Sequence, residues 1–336
     1  MEIIEKVEEL GRLIADSECI ALIGHVNPDG DSIGSLIGLS SYLQGLGKQI
    51  MPIVPNNYPF FLKFIDSEEK IIIYNKSFEY VNEFIQKANL IICMDFNGLR
   101  RIDELGKVIE KSLAVKVLID HHPQPEPVFN LVYSYPNLSS TCEVTYWILK
   151  RLCGNKVMSM ESANALYTGM MTDTNNFSNS VQASTFKMAG ELLDVGVNKE
   201  WVQMNVFCGF NELRMRLMGY MLCENMRLIL PYKAGVMLLT NEIKKRFSLE
   251  DGDTEGFVNL PLSIKGIEVS ALFTQEKDYV KVSLRSKNSF SVNRFARLYF
   301  NGGGHERAAG GKLYLSIEKV EEYFIKSIEE FTEKEK

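Results

Sequence analysis

The chain has 336 residues, 46% of them hydrophobic and 24% charged, and a formal net charge of −6. That length exceeds one typical domain and suits two, and the composition excludes a disordered or fibrous chain. An acidic protein lacks the broad basic footprint that grips long nucleic acid, so no long duplex is expected as partner; a polyphosphate substrate should be small, or held through metal ions.

The opening residues mix charge and apolar side chains at helical spacing, without the basic-then-apolar order of a signal peptide. No apolar run approaches the ~20 residues that span a bilayer. A cytoplasmic protein without membrane contact is expected. Short apolar runs then read as strands at Cys19–Gly24, Gln49–Val54, Lys70–Tyr74, Leu90–Met94 and Ala114–Ile119. Helical patterns at Ile33–Leu46, Phe78–Ala88 and Leu99–Lys111 separate them. This alternation predicts an α/β fold with a doubly wound parallel sheet covered on both faces, and runs such as Val115–Ile119 are as apolar as such strands tend to be. From Ser139 to Cys223 the pattern is mostly helical, and a smaller α/β unit begins near Met226. The predicted domains are 1–205, including a helical connector from about 180, and 226–336. Six scattered cysteines form no CxxC pair, and Cys93 sits inside an apolar run; reduced thiols are expected, not a zinc ribbon or a disulfide scaffold.

His25 ends the first predicted strand and opens His25-Val26-Asn27-Pro28-Asp29-Gly30-Asp31-Ser32. Side chains just past the carboxyl ends of strands gather in one crevice of an open α/β sheet, which would bring His25, Asp29 and Asp31 together, with Ser32 starting the next helix. A polar turn with a helix cap reads the same string equally well. Asp95 follows Leu90–Met94, Asp120-His121-His122 follows Val115–Ile119, and Asp173 follows a helical run. Three strands each ending in Asp or His are hard to explain as caps. Carboxylates crowded at one edge repel and raise each other's pKa unless a cation neutralises them. Carboxylates with imidazoles and no thiolate suit Mn²⁺ or Mg²⁺, with Fe²⁺ or Co²⁺ as alternatives. Six or seven ligands are too many for one open site and suit a pair of divalent ions ~3.5–4 Å apart, the spacing of two-metal phosphoryl-transfer enzymes.

His25-x3-Asp29-x-Asp31, Asp95, Asp120-His121-His122 and Thr172-Asp173-Thr174 resemble, in order, the four motifs of the DHH phosphoesterases. The resemblance implies His25 and Asp29 on one metal, Asp31, His121 and Asp173 on the other, and Asp95 bridging. It also implies that His122 faces the scissile phosphate while Asp120 orients the histidines from behind. Asn175 departs from the family pattern, where glycine commonly follows Thr174, but removes no ligand. Arg101 matches a recurring family arginine, and a structural ion pair explains it equally well.

Further on, Ser283-Leu284-Arg285-Ser286 and Gly302-Gly303-Gly304-His305 offer a guanidinium fork and a glycine run able to approach an anion; a flexible loop with an exposed arginine reads the run as well. This stretch resembles the DHH-associated C-terminal domain, which implies substrate-phosphate binding by Arg285, Gly303, Gly304 and His305 and an active site in the cleft between the domains. Among DHH groups, RecJ-type nucleases and membrane-tethered cyclic-dinucleotide phosphodiesterases carry further domains, and manganese pyrophosphatases lack the Gly-Gly-Gly-His segment. The remaining match is the nanoRNase and pAp-phosphatase-like group of bifunctional oligoribonucleases. The expected substrates are short RNA or DNA oligonucleotides, or 3'-phosphoadenosine 5'-phosphate (pAp), with two divalent metal ions, foremost Mn²⁺, as cofactors. A cyclic or linear di-AMP phosphodiesterase and a non-catalytic nucleotide sensor are the alternatives, and a homodimer is left open.

Overall fold

The structure, a computed structural model, describes residues 6–154, 158–250 and 252–334. The chain divides into two compact units, Met1–Gly209 and Phe210–Lys336.

The first unit runs α1 (Val7–Asp16), β1 (Cys19–Ile23), α2 (Gly30–Gln44), β2 (Gln49–Val54), β3 (Ile72–Ile73), α3 (Phe78–Lys87) and β4 (Leu90–Met94). It continues with α4 (Asp103–Lys111), β5 (Val115–Asp120), β6 (Leu131–Ser134), α5 (Thr141–Cys153), α6 (Met160–Asp173), α7 (Ala183–Val195) and α8 (Lys199–Gln203). The six strands pair in the order β3-β2-β1-β4-β5-β6, and every pairing is parallel. The chain winds outward from β1 through β2 to β3, then returns to β4 on the other side. The gap between the ends of β1 and β4 is therefore the topological switch point, where side chains past the strand ends can converge.

Alternation along β1 fills both faces. Ile20 and Leu22 join the core that α1, α2, α5 and α6 cover, while Ala21 and Ile23 join the core under α3 and α4. Burial on both faces is why these strands read as unbroken apolar runs. Helices α2 and α6 approach closely because glycine lines their contact. A Cβ at Gly30 would lie 2.2 Å from Thr172 Oγ1, and one at Gly169 would lie 2.2 Å from Cys142 Sγ and 2.8 Å from the Gly30 carbonyl oxygen. That contact carries Asp31, in the first turn of α2, toward Asp173, the last residue of α6.

Some expectations are corrected. Helix α2 starts at Gly30 rather than Ser32, because Asp29 caps it: the Asp29 Oδ1 accepts the backbone N–H groups of Asp31 and Ser32 at 3.1 and 3.2 Å. The Lys70–Tyr74 strand shrinks to Ile72–Ile73. The Leu99–Lys111 helix opens as a 3₁₀ turn at Leu99–Ile102. Strand β6 was not foreseen.

The second unit comprises α9 (Glu212–Tyr220), β7 (Arg227–Ile229), β8 (Ala234–Leu239), α10 (Asn241–Arg246), β9 (Val269–Gln275) and β10 (Val280–Ser286). Then follow α11 (Val292–Tyr299), β11 (Gly303–Gly304), β12 (Ala308–Leu313) and α12 (Val320–Lys334). Its strand order is β11-β12-β10-β9-β8-β7; only β8 and β9 pair in parallel. Aromatic rings of Phe273, Phe295, Phe300 and Phe324 pack the core under α11 and α12. No described helix is long and apolar enough to cross a membrane.

Candidate metal centre

At the switch point, His25 follows β1 and Asp95 follows β4. The His25 Nε2 lies 3.2 Å from Asp95 Oδ2 and 3.9 Å from Asp29 Oδ1. The other ring nitrogen, Nδ1, is 2.8 Å from the Val26 carbonyl oxygen. Both facing oxygens only accept, and the shorter contact places the proton of the neutral ring on Nδ1; burial lowers the pKa of the ring and favours that neutral form. In that tautomer the Nε2 lone pair faces the carboxylates. Asp95 itself is held at φ 67°, in the left-handed region, with its N–H bonded to the Ile119 carbonyl oxygen at 3.1 Å. Such backbone conformations persist where the surroundings over-determine them, as at ligand clamps.

His121, one residue past β5, faces more carboxylates. Its Nε2 is 3.5 Å from Asp173 Oδ2, 3.7 Å from Asp31 Oδ2 and 3.7 Å from Asp95 Oδ1. Burial, helped by the neighbouring His122, pushes its pKa down to about 4, so the ring is neutral at neutral pH. Asp31 and Asp95 are 1% and 2% exposed. Burial first, then the charges of Asp95 and Asp29, raises the Asp31 carboxyl well above its usual range; burial first, then Asp29, does the same to Asp95.

Besides Asp95, Asp120 and His122, two donor triads result: His25, Asp29 and Asp95, and Asp31, His121 and Asp173, the donor atoms of each lying within 4.8 Å of one another. Asp95 spans them, with Oδ2 toward His25 and Oδ1 toward His121. Neutral imidazole lone pairs aimed at buried carboxylates repel one another; a divalent cation in each triad would turn that repulsion into coordination. The oxygen-and-imidazole set, without thiolate, fits Mn²⁺ or a similar hard divalent ion.

His122 behaves differently. Its Nδ1 is 2.7 Å from Asp120 Oδ1 and 3.9 Å from Asp95 Oδ1. Burial lowers the ring's pKa, but the charge and hydrogen bond of Asp120 outweigh it, and the net shift is upward. Burial raises Asp120, and His122 outweighs that in turn, leaving its carboxyl below the usual range. Asp120 Oδ1 also accepts the His121 N–H at 2.8 Å, so one buried carboxylate orients both histidines. The charge of Arg101 reaches His25 and His122, and its carbonyl oxygen accepts the Val26 N–H at 2.9 Å.

In the second unit, Arg285 on β10 pairs in register with Ala308, which closes a tight turn with His305: His305 N–H donates to the Ala308 carbonyl oxygen at 2.7 Å. Arg285, Gly303, Gly304 and His305 are all half-buried. The glycine run has a local cause that the sequence reading did not contain. A Cβ at Gly302 would lie 1.8 Å from the Gly310 carbonyl oxygen and one at Gly304, whose φ is 145°, 2.6 Å from that of Ala308. The hairpin of β11 and β12 therefore demands glycine at both positions, whereas at Gly303 the nearest atom would be Arg297 Nε at 3.7 Å.

Sequence reasoning placed the helix α5 within a residue, as Cys142–Cys153, but missed the role of its first turn. The N–H groups of Thr141 and Cys142 donate to Asp31 Oδ2 and Oδ1 at 2.6 and 2.8 Å, and the Thr141 hydroxyl donates to Asp95 Oδ1 at 3.0 Å. The available signal was the cap, Ser140, with Glu143 three residues on.

A doubly wound sheet with Asp and His triads at its switch point, followed by a mixed-sheet unit, defines a two-domain phosphoesterase architecture. The chain belongs to the DHH family: residues 19–170 match the DHH family, N-terminal domain, and residues 235–334 match the DHHA1 domain. The crystal structure of an exopolyphosphatase-related protein from Bacteroides fragilis superposes with a TM-score of 0.93 at 36% identity, covering 98% of each chain. The bifunctional oligoribonuclease and PAP phosphatase NrnA of Thermus thermophilus is 28% identical over 93% of this chain and 89% of its own. Its Bacillus subtilis counterpart of the same name is 28% identical over 91% and 93%.

Proposed function

We propose that the chain hydrolyses oligonucleotides of two to a few residues to nucleoside monophosphates, and removes the 3'-phosphate of pAp. The observation that carries the chemistry is the neutral His121 Nε2 facing three carboxylates within 3.7 Å. On this reading His25 and Asp29 hold one divalent ion, Asp31, His121 and Asp173 hold the second, and Asp95 joins them. Such a pair supplies charge neutralisation at a phosphoryl group and a nucleophilic water at neutral pH. His122, its Nδ1 committed to Asp120, whose charge and hydrogen bond raise the ring's pKa, faces the phosphoryl oxygens or the departing oxygen as a hydrogen-bond or proton donor. Asp120 orients that ring and favours its protonated form. Arg285, His305 and the backbone N–H groups of Gly303 and Gly304 grip the substrate's terminal phosphate. The choice of substrate rests on the full-length relatives named for both activities.

The test is a substrate panel with Mn²⁺: end-labelled dinucleotides, longer RNA, pAp, cyclic di-AMP and pyrophosphate, resolved over time. Fast turnover of dinucleotides and pAp, with slow turnover of longer RNA, is expected. Preferential cleavage of cyclic di-AMP would replace this substrate class, and nucleotide binding without turnover of any substrate would make the chain a sensor.

A further inference from the structure

We propose that Thr141 is a positioning residue that sets the orientation of Asp95 between the two cation positions. The inference rests on the two-cation reading above and adds a part that lies in neither triad.

The first turn of a helix has backbone N–H groups with no partner inside the helix. In α5 the Ser140 hydroxyl takes the Glu143 N–H at 3.0 Å, an ordinary cap. The N–H groups of Thr141 and Cys142 instead go to the two oxygens of Asp31, which sits on α2. Asp31 is thereby pinned at both oxygens by two consecutive amides, and the positive end of α5 favours its charge. Thr141 adds a third donor, its hydroxyl, and sends it to Asp95 Oδ1. One helical turn thus grips a carboxylate from each triad.

The consequence for Asp95 is specific. Its Oδ2 has His25 Nε2 at 3.2 Å, while its Oδ1 takes the Thr141 hydroxyl at 3.0 Å and has His121 Nε2 at 3.7 Å. The hydroxyl fixes the carboxylate's rotation so that one oxygen serves each triad. Without it, the side chain can turn both oxygens toward one triad and leave the other short of a ligand.

The turn is itself anchored. Glu143, fully buried, accepts the Ser139 N–H at 2.9 Å, the Ser139 hydroxyl at 2.6 Å and the Thr185 hydroxyl at 2.8 Å, all on Oε2, tying the start of α5 to α7. Thr141 is also completely buried, so its side chain has no room to be replaced by solvent.

The test is calorimetric titration of the metal-free full chain with Mn²⁺, comparing wild type, Thr141→Val and Thr141→Ser. Wild type and Thr141→Ser should bind two ions per chain with matching affinities. Thr141→Val, which keeps the shape and loses only the hydroxyl, should bind at least one of the two about 10–100-fold more weakly, the usual loss when a ligand's supporting hydrogen bond is removed. At saturating Mn²⁺ its KM for a dinucleotide should stay at the wild-type value. Thr141→Ala carries the same comparison if the valine variant does not fold. Two ions bound by Thr141→Val or Thr141→Ala with wild-type affinity would overturn the positioning role while leaving the two-cation reading intact. Failure of the wild type to bind two ions would overturn both.

Discussion

The two units handle charge in opposite ways. In the first, Asp31, Asp95 and Asp120 are buried at the carboxyl edge of a parallel sheet, the first two held by hydrogen bonds from α5 and the third by the histidines that follow it. In the second, Arg285 and His305 are half-buried around a glycine hairpin. Burial makes like charges repel strongly, which a proton or a bound cation relieves, and it makes every donor and acceptor position matter. Half-exposed groups keep water and cost little to hold apart, so they can take different substrates. On the proposed reading, the first unit sets how fast a phosphoester is cut and the second sets which phosphoester is presented.

The largest effect that follows belongs to the first unit. Asp31→Asn should lower kcat by roughly 10²–10³-fold or more on every substrate alike, because it removes a charge from the cation pair rather than a substrate contact. Steady-state kinetics on a dinucleotide and on pAp check this; an effect confined to one substrate would move Asp31 out of the shared centre.

A smaller effect belongs to the second unit. Arg285→Ala should raise KM about 10-fold, equivalent to one lost charged hydrogen bond to phosphate, for substrates with a free terminal phosphate, and much less for unphosphorylated ones. Equal changes on both would sink the anchoring role and with it the division of labour between the units.

The smallest effect lies away from either place. Tyr58 donates its hydroxyl to Asp66 Oδ2 at 2.7 Å, while Asp66 Oδ1 takes the Lys70 N–H at 2.8 Å. Burial raises the Asp66 carboxyl above its ordinary 3.8, against the pull of Tyr58 and the two backbone N–H groups. A carboxyl raised on folding contributes stability below the unfolded pKa and loses it as pH rises through the folded value. Tyr58→Phe removes a downward pull and raises the folded pKa further. It should therefore destabilise by about 1–2 kcal/mol at pH 7, and by less at pH 4, in urea unfolding at the two pH values. Activity per folded molecule should not change.

Much of the Asp and His cluster was legible because its side chains stand at the ends of apolar runs. His25, Asp95 and Asp120-His121-His122 each follow a strand that the sequence marks plainly, and a parallel sheet brings such ends together. The cap reading of Asp29 holds, and the same Oδ1 that caps α2 also lies 3.9 Å from His25. The grip of the first turn of α5 on the carboxylates was not legible, because two of its three donors are backbone amides, which leave no mark on residue type. Strand β12, Ala308-Ala309-Gly310-Gly311-Lys312-Leu313, has little strand preference of its own and forms by pairing with β10 and β11. The glycines ahead of His305 looked like an anion cradle, and at Gly302 and Gly304 the hairpin alone accounts for them.

The central claim is the pair of cations, and diffraction from crystals grown with Mn²⁺, using its anomalous scattering, tests it directly. Two peaks ~3.5–4 Å apart are expected, one against His25 and Asp29, the other against Asp31, His121 and Asp173, with Asp95 contacting both. A single peak, or ions held by other residues, would contradict the account.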